Sequence, residues 1–306
     1  MSDHTSPSLR FPARPKTGGG AGRRDVPGQT PLSKVTVPWL HARVEAGEKI
    51  TALTAYDYPS GLLADRAGID LLLVGDSLAN TTLGYENTLL VSEEEMLVAL
   101  RAVRRAVQRA LLVVDMPFGS YHVDAASALE AAVRFVKSGA EAIKLEGGRR
   151  RIGLVRRIVD SEIPVMGHIG LTPQSLHALG GYKVQGKQPD DAARLLDDAI
   201  ALQDAGAFSI VLEGIPAPLA ERITAELRIP TIGIGAGAHC DGQILVFADL
   251  LGLLPGRGPK FVRRYLDFYG LALEAIQTYR DDIQTGSFPS IEESYHARSA
   301  LEATQP

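Results

Sequence analysis

The fold is indicated most directly by the stretch LLLVGD at residues 71–76, in which an apolar run ends in an acidic residue. The same arrangement recurs in LLVVD at 111–115 and in AIKLE at 142–146. Such runs are typical of buried parallel strands, and a carboxylate at the end of one needs a partner because charge is costly near a low-dielectric core. Three acidic strand ends, Asp76, Asp115 and Glu146, therefore indicate a shared cation and an enzyme rather than a binding module.

Further strand-like segments alternate with amphipathic, helix-like segments along the chain. These strands are predicted at residues 50–55, 164–168, 209–213, 231–234 and 244–247. With the three runs above they predict an α/β fold, a (β/α)8 TIM barrel. An open doubly wound sheet is the alternative, but no G-x-G-x-x-G motif follows the first strand. The C-terminal ends of barrel strands meet at one mouth, where we expect Asp76, Asp115, Glu146, His168 and Glu213 to lie.

The composition is that of a globular protein. Hydrophobic residues make up 45% and charged residues 22% of the 306 residues, and the net charge is −4. Nothing shows the basic clustering of a nucleic-acid surface, and no apolar stretch is long enough to span a membrane. The single cysteine, Cys240, cannot form an internal disulfide, which permits a reduced, cytoplasmic location.

The chain is expected to contain one catalytic barrel, at residues 32–285. Residues 1–31 are rich in Gly, Pro, Ser and Arg and are predicted to form a disordered N-terminal tail. A transit peptide is the alternative for this segment, although no amphipathic pattern supports it. Residues 286–306 are polar and are predicted to form a loose C-terminal tail.

The acidic strand ends predict a site for a hard cation. Carboxylate oxygens with few His and no Cys suit Mg²⁺ or Mn²⁺ better than Zn²⁺. Beside Asp76, Gly75 permits close backbone approach, and Ser77 offers a hydroxyl and an amide to an anion. The alternative is that Asp76 and Asp115 each cap the turn after their strand.

Three further polar residues stand at or near predicted strand ends. Lys144 precedes Glu146 by two residues, so both side chains lie on one face of the strand. A lysine directed into a barrel needs an anion, either a substrate carboxylate or a buried acidic partner. His168 could contact a substrate or be a structural histidine. Glu213 is predicted to be a general base near the metal, with a helix cap as the alternative.

Two glycine-containing loops follow later strands. The segment GGYKVQG at 180–186 could be a lid that excludes water, or an ordinary surface loop. The segment IGIGAG at 232–237 could hold an anion or leave room for a bulky second substrate.

Ten motifs, in this order, resemble those of the ketopantoate (3-methyl-2-oxobutanoate) hydroxymethyltransferase family. They are TAYDY from Thr54, VGDSL from Val74, DMPFGSY from Asp115, KLEGG from Lys144, GHIGLTPQS from Gly167, GGYKVQG from Gly180, VLEGIP from Val211, IGIGAG from Ile232, DGQILV from Asp241 and PKFVRRY from Pro259. They cover residues 50–265 without large gaps. GHIGLTPQ followed by GGYKVQG is the most specific pair.

The resemblance implies a (β/α)8 barrel of the phosphoenolpyruvate/pyruvate type, often a homo-decamer. It implies transfer of a hydroxymethyl group from 5,10-methylenetetrahydrofolate to 3-methyl-2-oxobutanoate. The product would be 2-dehydropantoate, made through a Mg²⁺-stabilised enolate in the synthesis of pantothenate, the coenzyme A precursor.

The resemblance also implies roles at matching positions. The Mg²⁺ ligands would be Asp76, Asp115 and Glu146, and Glu213 would accept the proton. The residues predicted to bind the keto acid are Asp76, Ser77, Asp115, Lys144 and His168.

Two other functions are compatible with the same barrel. A lyase or phosphonomutase would cleave or rearrange another 2-oxo acid without consuming methylenetetrahydrofolate. A catalytically silent scaffold or ligand binder belongs to a different class, and fold alone does not decide between these. The loss of an acidic strand end would have indicated the silent scaffold, and none is lost.

Overall fold

The computed structural model describes residues 33–256 and 258–295. Within this part, eight strands form a closed barrel in which each strand runs parallel to its neighbours and the last pairs with the first. The predicted (β/α)8 fold is therefore confirmed. The predicted N-terminal tail, 1–31, and residues 296–306 of the predicted C-terminal tail lie outside the described residues, and the domain bounds stay a prediction.

The strands follow the predicted order. They are β1 (Ile50–Thr54), β2 (Leu71–Val74), β3 (Leu111–Asp115), β4 (Ala142–Glu146), β5 (Val165–Gly170), β6 (Ser209–Glu213), β7 (Thr231–Ile234) and β8 (Gly242–Leu245). Strand β8 begins and ends two residues earlier than the predicted 244–247. It ends early because a helix starts at Phe247, whose N–H donates to Thr54 Oγ1 at 2.9 Å.

Helices cover most of the outer wall of the barrel. They are α1 (Val37–Glu45), α2 (Tyr58–Arg66), α3 (Leu78–Thr81), α4 (Glu93–Ala106), α5 (Ala125–Lys137), α6 (Ile152–Val159), α7 (Leu176–Leu179), α8 (Pro189–Asp204), α9 (Ala217–Glu226), α10 (Phe247–Leu251) and α11 (Phe268–Thr285). Short 3₁₀ turns lie at Thr88–Leu90, Arg149–Arg151, Pro173–Ser175 and Ile291–Glu293. In the described chain, no helix has both the length and the apolar character needed to cross a membrane.

The strands serve two hydrophobic clusters because their side chains alternate between the two faces of the sheet. Leu71 and Leu111 lie in one buried cluster, to which Leu40 of α1 also belongs. The next residues along the same strands, Leu72 and Leu112, lie in the second cluster with the covering helices. Burial on both faces explains why these strands are continuous apolar runs and why an acidic residue at their ends stands out.

The last helix, α11, is 18 residues long, and none of its residues is buried. Tyr269, Leu273 and Ile276, which follow the helical period of three and four, are 42%, 44% and 65% exposed. A cavity of about 790 Å³ also lies at the β1–β8 side of the barrel, with Phe261 and Tyr265 in its lining. Helix α11 therefore presents an apolar face that the barrel of the same chain does not cover.

Candidate active site

The predicted acidic residues meet where the strands end. Asp115 and Glu146 are the last residues of β3 and β4, and Asp76 follows β2 by two residues. All three are buried, with 3–5% of their surface exposed. His168 pairs in register with Glu146, and Glu213 ends the next strand. The structure thus brings these five predicted site residues to one mouth.

Lys144 and Asp115 form a buried ion pair at this mouth. The Lys144 Nζ lies 2.7 Å from Asp115 Oδ1, and neither side chain is more than 5% exposed. Burial lowers the pKa of Lys144, but the charges of Asp115, Glu146 and Asp76 outweigh it and raise the pKa above its ordinary value. Lys144 is therefore an ammonium ion. Of the two anions that the sequence offered for this lysine, the structure shows the buried acidic partner, Asp115. The other Asp115 oxygen accepts a 3.0 Å hydrogen bond from the N–H of Asp76.

Asp76 and Glu146 are both held by Gln174. The side-chain amide of Gln174 donates to Asp76 Oδ2 at 2.8 Å, and its backbone N–H donates to Glu146 Oε2 at 3.0 Å. Helix α3 begins after Ser77 without a side-chain capping hydrogen bond, so Asp76 does not act as the cap that the alternative required. Burial raises the pKa of Asp76 well above its usual range, and the charges of Asp115 and Glu146 raise it further.

His168 connects two glutamates across the mouth. Its Nδ1 lies 3.3 Å from Glu146 Oε1 and its Nε2 lies 3.1 Å from Glu213 Oε2. Burial and Lys144 lower the pKa of His168, but contacts with Glu146 and Glu213 outweigh both and raise it to about 9. At neutral pH the ring is therefore an imidazolium that holds Glu213 in place.

Glu213 is accessible from the mouth rather than committed to a helix cap. Its side chain is 17% exposed, whereas that of His168 is only 3% exposed. Helix α9 begins after Pro216 without a side-chain capping hydrogen bond. Among the carboxylates of the mouth, Glu213 is thus the one that a substrate can approach most directly.

A hydrogen-bonded chain orients the Ser77 hydroxyl. The Thr54 hydroxyl donates to Tyr56 Oη at 2.8 Å, and Tyr56 Oη shares a 2.8 Å hydrogen bond with Ser77 Oγ. Burial raises the pKa of Tyr56 to about 12, which keeps the phenol protonated. This chain holds the Ser77 hydroxyl in a fixed position beside Asp76.

The predicted cation site can be tested against these contacts. Among residues 33–256 and 258–295, no group of three or more His, Cys, Asp or Glu side chains is arranged to hold a metal ion. In this arrangement Lys144 lies next to Asp115, and Gln174 donates to one oxygen of Asp76 and one of Glu146.

The donor chemistry nevertheless fits a hard divalent cation. Asp115 Oδ1 and Glu146 Oε1 are buried without a hydrogen-bond partner, although Lys144 and His168 lie close to them. When all are ionised, the four carboxylates of Asp76, Asp115, Glu146 and Glu213 face the ammonium of Lys144 and the imidazolium of His168, which leaves two negative charges to balance. Oxygen donors of this type are those that Mg²⁺ prefers.

Three residues of the site were assigned no role by the sequence, namely Tyr56, Tyr121 and Gln174. Each lies in a motif quoted above, but its contacts connect distant segments, such as the Gln174–Asp76 hydrogen bond across 98 positions. The one available signal was that Gln174 closely follows a strand end, in a short helix begun by Thr172-Pro173.

The two glycine-containing loops lie at the same end of the barrel. Tyr182 in the first loop is 55% exposed, and burial and then the charges of Asp76 and Glu213 raise its pKa. The N–H of Gln185 donates to the Gly214 carbonyl at 2.9 Å, which ties this loop to the end of β6. Gly235 of the second loop lies against the Phe261 ring. Their roles as a lid and as a second-substrate site stay predictions.

Comparisons with known proteins agree with the family that the sequence motifs resemble. A family model described as ketopantoate hydroxymethyltransferase matches residues 34–291. The chain is 55% identical over 273 residues to the 3-methyl-2-oxobutanoate hydroxymethyltransferase of Koribacter versatilis, covering 89% of this chain and 92% of that protein. It is 57% identical over 245 residues to the enzyme of the same name from Geobacter sulfurreducens, covering 80% and 92% respectively.

Solved structures resemble the chain at the level of the fold. Phosphonopyruvate hydrolase in complex with oxalate and Mg²⁺ aligns with a TM-score of 0.55 and 15% identity, over 85% of this chain and 93% of that one. A 2,3-dimethylmalate lyase of the PEP mutase/isocitrate lyase superfamily aligns with a TM-score of 0.54 and 15% identity, over 86% and 89%. At 15% identity these likenesses show that the chain shares the barrel fold of these proteins.

Proposed function

The chain belongs to the ketopantoate hydroxymethyltransferase family, and we propose that it catalyses the reaction for which its relatives are named. The keto acid is 3-methyl-2-oxobutanoate, the one-carbon donor is 5,10-methylenetetrahydrofolate, and the product is 2-dehydropantoate for pantothenate synthesis. The observation that carries this proposal is the juxtaposition of a buried Lys144–Asp115 pair with the accessible carboxylate of Glu213 at one mouth. That arrangement offers a site for an anion beside a base.

Asp76, Asp115 and Glu146 would hold Mg²⁺ in this enzyme. A divalent cation bound there would act as a Lewis acid that makes the C3 proton of the keto acid more acidic. The buried carboxylate oxygens Asp115 Oδ1 and Glu146 Oε1, whose close polar neighbours are the cations Lys144 and His168, support this assignment.

The keto acid carboxylate would be held by cations and hydroxyls of the mouth. Lys144 is an ammonium ion that already lies next to Asp115. The Ser77 hydroxyl, fixed by its hydrogen bond with Tyr56, would supply a further polar contact. His168, 3.3 Å from Lys144, adds a second positive charge on the β5 side.

Glu213 would remove the proton from C3. Its carboxylate is held by His168 at 3.1 Å and is open to the mouth, which are the positional requirements of a general base. The electron pair released at C3 then attacks the methylene carbon of the folate. The carbon–nitrogen bonds to the folate break, water supplies the hydroxyl oxygen, and tetrahydrofolate leaves.

The proposal is tested by incubating the purified chain with 3-methyl-2-oxobutanoate, methylenetetrahydrofolate and Mg²⁺. We expect 2-dehydropantoate to form in proportion to the folate consumed, and no product when EDTA replaces Mg²⁺. Cleavage of another 2-oxo acid without folate consumption would contradict the proposal in favour of the lyase alternative.

A close approach of two strands at the mouth leads to a prediction for Gly170. This residue has φ +96°, and a Cβ there would overlap the Glu213 carbonyl oxygen and lie 2.7 Å from Ile215 Cγ2. We expect Gly170→Ala to lower the free energy of unfolding by about 1–3 kcal/mol and to lower turnover by about 100-fold through displacement of Glu213.

Thermal unfolding and steady-state turnover measure both effects. The control is Gly47→Ala, because Gly47 has φ +75° but no atom within 4 Å of an added Cβ. It imposes backbone strain without a clash, and turnover should not change. Equal turnover of Gly170→Ala and wild type would contradict the predicted loss of activity through displacement of Glu213.

The chain would form a homo-oligomer, a decamer if it follows the family pattern. The apolar face of α11 and the adjoining cavity support association with a second copy, because exposed apolar patches of this kind are typical of interfaces. Small molecules would be its other partners, with no nucleic acid or membrane. A cytoplasmic location is proposed from the biosynthetic role of the family.

Removing the apolar face of α11 should dissociate this oligomer. We expect the double variant Leu273→Ser, Ile276→Ser to show a smaller mass than wild type by light scattering after size exclusion, because both side chains are exposed on one face. The matched control is Thr278→Ser, Asp282→Ser, which lies on the opposite face of α11. An unchanged mass of the first variant, or a monomeric wild type, would contradict the proposal.

A further inference from the structure

We infer that Gln174 is a positioning residue that fixes the carboxylates of Asp76 and Glu146, so that one defined oxygen of each is left for the cation and the keto acid. The inference rests on the proposed function of the mouth. It concerns a residue on the loop after β5, which lies outside the acidic strand ends.

Gln174 uses both ends of its side-chain amide and its backbone N–H inside the site. The residue is only 5% exposed. Its Nε2 donates to Asp76 Oδ2 at 2.8 Å and to the Met116 carbonyl at 3.0 Å, and its backbone N–H donates to Glu146 Oε2 at 3.0 Å. Its Oε1 accepts a 2.6 Å hydrogen bond from Tyr121 Oη. One residue therefore connects the ends of β2, β3 and β4, the first two through its side chain and the third through its backbone N–H.

Tyr121 completes a closed set of contacts around Glu146. Its hydroxyl donates to Gln174 and accepts a 3.2 Å hydrogen bond from the N–H of Glu146. Glu146 is thus held through both its backbone and its carboxylate, and Tyr121 fixes which end of the Gln174 amide faces Asp76. The amide orientation follows from the Tyr121 proton, because a hydroxyl donor requires the amide oxygen opposite it.

No other common side chain satisfies these contacts. A glutamate would place a fourth carboxylate among three and lose both donors to Asp76 and Met116. An asparagine is one methylene shorter and could not span from its own backbone to β2 and β3. A methionine has similar length but no amide, so it tests the hydrogen bonds with little change in volume.

The contacts also determine what the carboxylates can do. Asp76 Oδ2 and Glu146 Oε2 are engaged by Gln174, while Glu146 Oε1 is buried without a hydrogen-bond partner. In Gln174→Met the backbone N–H that holds Glu146 remains, but Asp76 loses the donor to its Oδ2, so its carboxylate is free to rotate, and Tyr121 loses its acceptor. Affinity for a divalent cation should then fall, because groups that orient ligands typically contribute about 10- to 100-fold to affinity or activity.

The test compares Gln174→Met with the control Gln203→Met. Gln203 lies near the end of α8, away from the mouth, and its side chain accepts a hydrogen bond from the N–H of Arg228. The readouts are Mn²⁺ affinity by electron paramagnetic resonance without substrate, kcat and KM separately, and thermal unfolding.

We expect Gln174→Met to bind Mn²⁺ about 10- to 100-fold more weakly than wild type and to recover part of its kcat when Mg²⁺ is raised. Gln203→Met should bind Mn²⁺ like wild type. If Gln174→Met does not fold, Tyr121→Phe should lower Mn²⁺ affinity in the same direction, because it removes the hydroxyl that orients the Gln174 amide.

Wild-type Mn²⁺ affinity and kcat in Gln174→Met, or in Tyr121→Phe, would overturn the inference. So would a lower unfolding temperature with unchanged Mn²⁺ affinity, since that is the result of a purely structural role. An inactive wild-type enzyme would instead overturn the proposed function, so the two failures are distinguishable.

Discussion

Replacement of Glu213 by glutamine is expected to stop removal of the C3 proton from 3-methyl-2-oxobutanoate while keto acid binding remains. The amide has the same size as the carboxylate but cannot accept the proton, and general bases typically contribute about 10²- to 10⁴-fold to the rate. The cation and keto acid contacts proposed for Asp76, Asp115, Glu146 and Lys144 do not involve Glu213. The kcat should therefore fall by about 10³-fold, while the keto acid dissociation constant changes little.

The measurement is the rate of C3 deuterium exchange together with steady-state turnover. The matched control is Glu221→Gln, because Glu221 on α9 also lies near a histidine, 3.5 Å from His239 Nδ1, but 58% of its side chain is exposed. That variant should react like wild type. Near-normal turnover of Glu213→Gln would assign the base to another residue.

Replacement of Lys144 by methionine is expected to destabilise the fold strongly when divalent cations are absent. The change leaves Asp76, Asp115 and Glu146 buried around a site with no ammonium ion. Removing one partner of a buried ion pair costs about 3–5 kcal/mol, because the other charge stays uncompensated. Added Mg²⁺ should restore part of this stability, since a ligand of the folded protein stabilises it by mass action. The KM for the keto acid should rise as well.

Thermal or denaturant unfolding in EDTA and in Mg²⁺ checks this result. The control is Lys34→Met, because Lys34 lies 2.6 Å from Glu141 Oε2 but both side chains are about 30% exposed, at 34% and 29%. That partly exposed pair should contribute about 1 kcal/mol or less. A Lys144→Met variant as stable as wild type in EDTA would contradict the charge balance described for the mouth.

The barrel could be predicted because its strands carry a strong local signal. Runs such as 71–74 and 111–115 are buried on both faces, and that burial requires continuous apolar sequence. Strand β8 was predicted less accurately, because Gly242 and Gln243 belong to it but are not part of an apolar run. Their pairing is set by β1, which lies about 190 residues earlier in the chain.

The carboxylates of the site were predictable for the same reason, because each stands at the end of such a run. The contacts among them were not. Whether Lys144 pairs with Asp115 or Glu146 depends on how neighbouring strands are staggered, and the structure pairs it with Asp115 at 2.7 Å. Gln174 and Tyr121 were missed because their contacts join distant parts of the chain. The Gln174–Asp76 hydrogen bond spans 98 positions, and the Tyr121–Gln174 hydrogen bond spans 53. Sequence spacing carries no information on such contacts.

Proton NMR of 3-methyl-2-oxobutanoate in D₂O with the purified protein tests the central claim most directly. We expect the C3 proton signal to disappear in the presence of Mg²⁺, and EDTA or Glu213→Gln to prevent the loss. Such a result would place the cation and the base at one site. Retention of the C3 signal by the folded wild-type protein with Mg²⁺, both with and without the folate, would contradict the proposed proton removal.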